Sequence, residues 1–582
     1  MSIQKTNQVP LNRRNFIAFF SSLGLSSTLF PGILWTQVQE KAAQKITKEM
    51  IAAAERMAGL QFTNAERGMM LEGVNNNLSF YEELRMVHLD VSDVPAIRFS
   101  PILPGMKFDK GHLPFRPTPL LIQNRPKNLE DVAFWDVIRL AGLIKSRKVS
   151  SVELTEMYLA RLKKYDSILK CVVTLTEELA MQQARRADIE IAGGKYRGYL
   201  HGIPWGAKDL IAKKGYRTTW GAAPFKEQMI DQDATVITRL EKAGAVLVAK
   251  LSTGELAYWD EWFGGKTKNP WDIESGSGGS SAGPASATAA GLVGFAIGTE
   301  TGGSMVEPAI KCGVTALRPT FGRVSRHGVM PGAWSFDKVG PMCRSVEDCG
   351  IVLNAIYGTD DLDLTVIDLP FNWNAKADAT KLRIGYLKAA FDEEHALPEE
   401  KVHDFETLKT LRKLGFNLSE VKLPDYPIRA AGLVAWFGEI GSVWDELIRS
   451  GRDSLLESQE ADGVGNLSRM TRTVPAVESY RASRVRTLIM KATAKIFDEV
   501  DVYIAPFSSA DSTPPVSSLN LLLTNTTGHP AVTVQNGFTH KGTPTGITFI
   551  GKLFGEAELL TVAKAYQDAT NFHRKHPKLN QL

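Results

Sequence analysis

Apolar residues follow a helical spacing between residues 41 and 92. Residues 63–66, TNAE, have the form of a helix capping box. Apolar side chains then recur at steps of three and four residues, at Met70, Val74, Leu78, Tyr81 and Leu84. This spacing predicts an N-terminal extension made of an amphipathic helical pair that packs on a larger body. Residues 93–127 carry seven prolines and predict a connector without helix.

From about residue 128 to residue 582, predicted helices alternate with short apolar strands. A second capping box, SSVE from Ser150 to Glu153, begins one helix. CVVTL (171–175) predicts a strand, and GAVLVAKL (244–251) and DVYIAPF (501–507) are β-branched runs typical of buried strands. The alternation indicates an α/β fold with a mostly parallel sheet covered by helices. Residues 359–480 are more charged and less regular, and we interpret them as an insertion or a lobe on the substrate side.

The composition is that of a globular protein, with 43% hydrophobic and 23% charged residues. The formal net charge of +4 comes from 68 basic and 64 acidic residues, a balance that argues against nucleic-acid binding. The ten histidines include no His-Glu-x-x-His pattern, and the cysteines have no CxxC spacing, so neither a metal site nor a disulfide framework is predicted. Cys312 lies in an apolar stretch and is predicted to be a small core residue; the other cysteines are Cys171, Cys343 and Cys349.

The first 40 residues resemble a twin-arginine export signal. Arg13 and Arg14 precede an uncharged, largely apolar stretch, residues 15–35, and no acidic residue occurs before Glu40. The pattern predicts an exported protein, periplasmic or extracellular. A membrane anchor is the alternative, because about 20 apolar residues can span a bilayer. The sequence leaves open whether the signal is cleaved.

Two serine-containing, glycine-rich loops flank a run of small apolar residues. The first loop is SGSGGSSAG (275–283), and the second is GTETGGSMVEPA (298–309). Glycine is favoured where the backbone bends unusually or approaches another group closely. Two such loops around one buried element predict that both meet at a site.

The residue types in these loops favour nucleophilic chemistry. A serine becomes a good nucleophile only when a base takes its proton and donors hold the developing oxyanion. Gly302 and Gly303 precede Ser304, which lets main-chain N–H groups turn toward one point. Lys208 follows small apolar residues, and a lysine can act as a base where burial depresses its pKa.

Together these segments resemble the amidase signature family of amide hydrolases, which includes fatty-acid amide hydrolases, peptide amidases and the A subunit of the tRNA-dependent amidotransferase. The resemblance covers roughly residues 128–582. It rests on GIPWGAKDLI around Lys208, on GGSSAGPASATAAGLVGFAIGTETGGSMVEPAIKCGVTALRPT, and on flanks such as GGKTKNPWD, DKVGPM, TNTTGHPAVTV and GTPTGITFIG. It implies a large, twisted, mixed β-sheet sandwiched by helices, and a mechanism without cofactor or metal.

The resemblance also implies a role for each reacting residue. Ser304 matches the nucleophile that carries the acyl group, Ser280 the bridging serine of a cis peptide, and Lys208 the base. Ser280 and Ser304 are 24 positions apart, which matches the family spacing and favours Ser280 over Ser281 as the bridging serine. The implied oxyanion hole consists of the main-chain N–H groups of Thr301, Gly302, Gly303 and Ser304.

The chain departs from the family pattern at several positions beside these residues. Val306 and Glu307 stand where Arg and an apolar residue are common, and Glu300 replaces the usual Asp. Residues 282–284 also differ from the glycine-rich continuation of the family. None of these changes removes a reacting group, but they bear on the charge of the pocket and so on the substrate class.

Other motif interpretations are weaker. GSSAG (279–283) fits the nucleophile elbow G-x-S-x-G, but that motif needs a preceding strand, and we expect none in NPWDIESGSG. The S-x-x-K pattern occurs twice, at Ser167–Lys170 and Ser335–Lys338, which shows how little it discriminates. GGKT lacks the first glycine of a P-loop, because Asp260 occupies that position.

An aromatic cluster precedes the first serine loop. Core packing is the slightly favoured interpretation of these side chains, and a wall of the acyl pocket is the functional alternative. The cluster consists of Tyr258, Trp259, Trp262 and Phe263.

Three functional hypotheses follow. The first is an exported serine amidase acting on a small-molecule amide, with no nucleic-acid partner and no membrane contact beyond an N-terminal anchor. The second is a cytoplasmic amidotransferase A-like subunit, to which the export signal is an objection, although residues 41–92 distantly resemble a fused C subunit. The third is a catalytically silent binding protein, against which the intact Lys208, Ser280 and Ser304 argue. The sequence names no particular amide and does not decide between a monomer and a homodimer.

Overall fold

The structure is a computed structural model that describes residues 46–85, 90, 97–395, 397–507 and 515–579. The chain divides into two compact units, Met1–Asp90 and Val91–Leu582. The predicted export signal, residues 1–40, lies outside the described residues. Within the described ranges, none of the helices combines the length and the apolar character needed to cross a bilayer.

The described part of the first unit contains two helices, α1 (Lys48–Ala58) and α2 (Asn64–Arg85). The predicted capping box is confirmed, since Glu66 N donates to Thr63 Oγ1 over 3.3 Å and Thr63 N donates to the Glu66 carboxylate over 2.6 Å. Glu55 joins the two helices through an ion pair of 2.8 Å with Arg67. Most side chains of the predicted apolar face, those of Met70, Leu78, Tyr81 and Leu84, lie outside the described part of the chain.

The second unit is built of helices around one large sheet. Its helices are α3 (Val137–Lys145), α4 (Ser151–Leu169), α5 (Glu177–Ala192), α6 (Thr235–Lys242), α7 (Ala282–Ala289), α8 (Val306–Cys312), α9 (Val346–Ile356), α10 (Lys388–Asp392), α11 (Pro398–Lys413), α12 (Ile428–Val443), α13 (Asp445–Arg449), α14 (Val464–Thr471), α15 (Ala476–Glu499), α16 (Pro515–Thr527) and α17 (Glu556–Thr570). Its strands are β1 (Val172–Leu175), β2 (Pro204–Lys208), β3 (Val246–Leu251), β4 (Glu261–Trp262), β5 (Gly265–Lys266), β6 (Lys268–Asn269), β7 (Asp272–Gly276), β8 (Phe295–Glu300), β9 (Thr315–Arg318), β10 (Lys338–Cys343), β11 (Ile384–Leu387), β12 (Leu418–Val421), β13 (Val502–Pro506), β14 (Ala531–Phe538) and β15 (Pro544–Gly551).

Eleven strands form one mixed sheet in the order β1-β3-β2-β8-β10-β9-β14-β15-β13-β11-β12. Four neighbouring pairs are parallel and six are antiparallel, so the expectation of a mostly parallel sheet is wrong. The alternation of strand and helix fails where strands follow one another directly. Residues 539–543 connect β14 to β15 without a helix, which makes that pair antiparallel. The mixed α/β sheet implied by the family resemblance is confirmed.

Local patterns were more informative than strand direction. The predicted strands are present as β1, β3 and β13, and Ser150 and Glu153 form the predicted capping box at the start of α4. Residues 97–127 contain no helix and no strand, as their prolines predict. The domain boundaries drawn from the sequence remain predictions.

The middle of the sheet fixes where the site lies. Strands β2, β3 and β8 are buried along their whole length, because helices cover both of their faces. Strand β2 is parallel to β8, with Trp205 opposite Phe295. The carboxyl ends of both strands therefore reach the same edge of the sheet. Lys208 is the last residue of β2 at that edge. Glu300 is the last residue of β8 and lies within the second serine loop, four positions before Ser304.

Candidate active site

Lys208 is a fully buried amine surrounded by hydroxyl groups. Its Nζ lies within hydrogen-bond distance of three hydroxyl oxygens, at 2.8 Å from Ser280 Oγ, 2.9 Å from Thr299 Oγ1 and 3.1 Å from Ser281 Oγ. Burial lowers the pKa of Lys208 well below its usual value, against the opposing charges of Asp337 and Glu300. Among the described residues no carboxylate lies within ion-pair distance of this nitrogen. The surroundings of Lys208 thus disfavour its charged form.

Ser280 sits at the turn between β7 and α7 and is 1% exposed. The Gly279–Ser280 peptide bond is cis, in agreement with the family resemblance. Gly279 packs against the main chain of Trp259, so that a Cβ at this position would lie 1.7 Å from the Trp259 carbonyl oxygen. Only glycine fits in this approach. The aromatic segment and the serine loop are therefore held together by their backbones.

Ser304 lies in the loop between β8 and α8 and is partly exposed. The two serine loops meet directly, because Ser281 N donates to the Ser304 carbonyl over 3.0 Å. Gly303 has φ +140°, a conformation that residues with a Cβ rarely adopt. Within the described ranges, no protein group accepts a hydrogen bond from the main-chain N–H of Gly302, Gly303 or Ser304. These N–H groups remain available for a ligand.

Glu300 holds the second serine loop in place, a role that sequence reasoning missed. Its Oε2 accepts from Met305 N over 2.7 Å and from Val306 N over 2.9 Å. Its Oε1 accepts from Arg318 Nη1 over 2.7 Å and from Asn525 Nδ2 over 2.9 Å. Burial opposes ionisation, but the charges of Arg318 and Lys338 and the hydrogen bonds from Arg318 and Asn525 together keep the pKa of Glu300 below its usual value. The longer side chain thus ties the loop to β9 and α16.

Asp337 lies immediately before β10, the strand that pairs with β8, and it anchors the start of the same loop. Thr301 Oγ1 donates to Asp337 Oδ1 over 2.6 Å, and the N–H groups of Gly332 and Ala333 donate to Oδ2. Burial raises the pKa of Asp337, and the Thr301 hydrogen bond opposes that shift. Asp337 lies 36 residues from Thr301 in the chain. It is the first residue of the DKVGPM flank, but that motif did not reveal the contact.

The aromatic cluster divides into two parts. Trp262 is buried, and its indole N–H donates to the Lys170 carbonyl over 3.2 Å, while Phe263 packs edge-on against it. These two side chains pack against neighbouring residues, the arrangement that core packing predicts, and their part in an acyl pocket stays a prediction. Tyr258 is partly buried, and Trp259 is 49% exposed. The exposed Trp259 is the member that remains open to a ligand.

The competing motifs are explained without catalysis. The expectation of no strand before GSSAG is wrong, because β7 pairs with β6; these strands form a separate two-stranded ribbon outside the main sheet. The elbow serine would be Ser281, but it is buried and its Oγ donates to the Thr299 carbonyl over 2.9 Å. In the second S-x-x-K pattern, Ser335 contacts Glu439 and Lys338 donates to Asn525 Oδ1 over 2.7 Å.

The cysteines and acidic groups show no sign of a metal centre. All four cysteines are free and buried, and Cys312 lies in an apolar cluster as predicted. Across the described part of the chain, no group of three or more His, Cys, Asp or Glu side chains is placed to hold a metal ion.

The family model described as Amidase matches residues 153–560, which is most of the chain. The chain belongs to the Amidase family. It is a hydrolase that acts on carbon–nitrogen bonds, and the family resemblance seen in the sequence is confirmed.

Relatives of this Amidase family member include both amidotransferase subunits and amidases. The A subunit of glutamyl-tRNA(Gln) amidotransferase from Geotalea daltonii is 35% identical over 478 residues, which is 75% of this chain and 97% of that protein. The structure of native peptide amidase from Stenotrophomonas maltophilia is 29% identical with a TM-score of 0.67, and the match covers 77% of this chain and 99% of that one. A structure of a vestigial protein complex related to an s-triazine catabolic enzyme has a TM-score of 0.69 at 28% identity, covering 75% and 98% of the two chains.

Proposed function

We propose that this Amidase family member hydrolyses a carboxamide to a carboxylic acid and ammonia or an amine, through an acyl-enzyme on Ser304. Ser280 and neutral Lys208 relay the proton. The observation that carries the proposal is the buried contact between Lys208 Nζ and Ser280 Oγ. The residue after Ser280, Ser281, is hydrogen-bonded through its N–H to the Ser304 carbonyl. An uncharged amine is the only form of lysine that can accept a proton.

In the first half-reaction Ser304 Oγ attacks the amide carbonyl carbon. Its proton passes to Ser280, whose own proton passes to Lys208, while the carbonyl oxygen takes up the negative charge. The main-chain N–H groups of residues 301–304 stabilise that charge. Collapse of the tetrahedral intermediate breaks the carbon–nitrogen bond, and the relayed proton returns to the leaving amine.

In the second half-reaction water replaces the amine. Lys208 accepts the water proton through Ser280, and the hydroxide oxygen attacks the acyl carbon. When the ester bond breaks, the proton returns to Ser304 Oγ and the acid leaves. Each proton that Lys208 accepts is donated back within the same half-reaction, so the cycle needs no cofactor.

Substitution of the nucleophile tests the proposal. Ser304→Ala is expected to abolish amide hydrolysis and labelling by a fluorophosphonate, with an unchanged circular dichroism spectrum. Ser275→Ala is the matched control, because Ser275 is exposed on the first loop and bonds only to Asp272 in the described structure. Full activity of the Ser304 variant would refute the assignment.

A component of a tRNA-dependent amidotransferase is the second candidate. The similarity to the A subunit of glutamyl-tRNA(Gln) amidotransferase along nearly its whole length favours it. The two candidates predict different behaviour of the isolated chain. An amidase hydrolyses simple amides alone, whereas an amidotransferase component is expected to hydrolyse glutamine and to need partner subunits.

Export separates the two candidates independently. We propose that Arg13 and Arg14 direct the folded protein out of the cytoplasm. Aminoacyl-tRNA is present in the cytoplasm and absent outside it, so an exported protein does not meet that substrate. The Arg13→Lys/Arg14→Lys double variant is expected to stay in the cytoplasm when cell fractions are blotted. Normal export of that variant would contradict the twin-arginine interpretation.

A further inference from the structure

The wall beside the oxyanion loop is made of apolar side chains from residues 359–480 and from α16. A Cβ placed on Gly302 would lie 2.9 Å from two ring carbons of Trp436, on α12. A Cβ on Gly303 would lie 3.1 Å from Leu521 Cδ2, on α16. The indole of Trp436 is therefore in van der Waals contact with the residue two positions before Ser304. Like Ser304, Trp436 is only partly buried.

Three charged groups near this wall, Glu439, Arg486 and Asp337, are engaged with other residues of the chain. Glu439, one turn beyond Trp436, accepts from Ser335 N over 2.9 Å and from the Ser335 hydroxyl. Arg486 donates to Ser335 Oγ over 2.7 Å and to the Thr526 carbonyl over 2.6 Å. Asp337 is occupied by Thr301, as described above. A charged substrate group placed here would lose water without gaining an opposite charge, which is unfavourable.

Two further observations concern the chemistry that the wall accepts. Val306, where the family commonly has Arg, is 2% exposed and supplies no charge. The indole Nε1 of Trp436 is buried and has no acceptor among the described residues. The wall thus offers an aromatic face, and its one unused donor is buried and not open to a ligand. Flat apolar groups pack well on such a face.

We propose, building on the amidase function above, that the substrate is an uncharged amide with an aromatic acyl group, and that Trp436 selects it. The acyl group lies against the Trp436 indole while its carbonyl oxygen faces the N–H groups of residues 301–304. Trp436 is a specificity-determining residue and takes no part in proton transfer. The sequence pattern did not reveal it, because it lies 132 positions beyond the nucleophile in a weakly patterned region.

A panel of primary amides that share ammonia as the leaving group tests this inference. The panel consists of phenylacetamide, acetamide, succinamate and glutamine, and kcat/KM is measured for each. The wild-type protein is expected to prefer phenylacetamide to succinamate and glutamine by about tenfold or more, the usual discrimination by one buried apolar group. A preference for succinamate or glutamine would overturn the inference and leave the amidase function intact.

Variants of Trp436 separate selection from folding. Trp436→Ala is expected to lower kcat/KM for phenylacetamide by about tenfold and for acetamide by less than about threefold. Trp436→Phe should retain most of the preference, and Trp436→Leu replaces the alanine variant if that one unfolds. Tyr480→Ala, which removes an aromatic ring that is 58% exposed, is the matched control and should change neither value.

Two results would contradict the inference or its foundation. An equal loss on acetamide and phenylacetamide, with unchanged fluorophosphonate labelling of Ser304, would show that Trp436 does not select the acyl group. A wild-type protein that hydrolyses no amide of the panel would contradict the proposed amidase function itself.

Discussion

Two buried lysines lie on neighbouring strands of the central sheet, and their surroundings differ in one respect. Lys208 ends β2, Lys250 lies in β3, and both are fully buried. Lys250 Nζ forms an ion pair of 2.6 Å with Asp209, whose other oxygen accepts from Thr219 N and Thr219 Oγ1. Lys208 has hydroxyl groups as its nearest partners instead.

This difference in the nearest partners is expected to give the two amines different charges. Burial lowers the pKa of both lysines, but for Lys250 the Asp209 charge and its hydrogen bond oppose the shift directly. For Lys208 the opposing carboxylates, Asp337 and Glu300, act from a distance, and its pKa falls well below the usual value. We therefore expect an ammonium ion at Lys250 and a free amine at Lys208. Burial without a carboxylate partner favours the free amine that a base needs, but it does not by itself make a lysine catalytic: Lys338 is also buried, and its nearest partner is Asn525.

The largest expected effect is on activity when the unpaired amine is removed. Lys208→Met should lower kcat/KM for amide hydrolysis by about a thousandfold, because a positioned general base contributes roughly 10² to 10⁴ in rate. The melting temperature should stay the same or rise, because folding no longer has to neutralise an amine that is charged in the unfolded chain at pH 7. Wild-type rates in this variant would exclude Lys208 as the base.

The paired lysine should show the opposite behaviour. Lys250→Met leaves Asp209 buried without its counter-ion, which is expected to destabilise the protein by about 3–5 kcal/mol. Urea denaturation measures that loss, and the activity of the remaining folded fraction should be close to normal. The double variant Lys250→Met/Asp209→Leu, which removes both charges, should recover much of the stability. An unchanged denaturation midpoint in the single variant would contradict the structural role of the pair.

The pH dependence of activity follows from the same comparison. The pKa of Lys208 is lowered, so the free amine is present above the folded-state pKa and is lost as pH falls through it. We predict that kcat/KM is level near neutral pH and falls about tenfold per pH unit on the acid side. Activity that rises only on the alkaline side, near the usual lysine pKa of about 10.4, would show that Lys208 is charged at neutral pH.

Removal of one of the hydroxyl groups that surround Lys208 is expected to have a smaller effect on kcat/KM. Thr299→Val removes one 2.9 Å contact of Nζ while keeping the shape of the side chain. We expect a loss of about tenfold or less in kcat/KM, the value of one hydrogen bond that orients the amine. Thr288→Val, a buried threonine whose hydroxyl makes only a 3.5 Å contact with Met342 O, is the control. A larger loss than that of Lys208→Met would mean that Thr299, and not Lys208, carries the proton.

The parts of this site that could be predicted from sequence are those carried by local spacing. The capping box at Ser150, the partly buried strand β1 and the buried strands β3 and β13 depend on neighbours within a few residues. Lys208, Ser280 and Ser304 stood out because the family resemblance has motifs around each of them. The structure brings Lys208 to Ser280 over 2.8 Å and joins the two serine loops through Ser281.

The parts that sequence reasoning missed depend on long-range contacts. Asp337 reaches Thr301 from the end of another loop, and Trp436 reaches Gly302 from a helix far along the chain. Strand direction failed for a different reason: β14 and β15 are joined by the short connection 539–543, and the direction of that pair depends on this connection and not on the composition of either strand. Glu300 was noticed only as a departure from the family, although its carboxylate holds the nucleophile loop.

The protonation state of Lys208 is the most direct test of the proposed mechanism. NMR of protein labelled with ¹³C at lysine Cε and ¹⁵N at Nζ, with Lys208→Met and Lys250→Met used for assignment, reports each buried amine separately as pH is varied. We predict that slightly above neutral pH the Lys208 signal is that of a neutral amine, while the Lys250 signal is that of an ammonium ion. A charged Lys208 at that pH would contradict the mechanism.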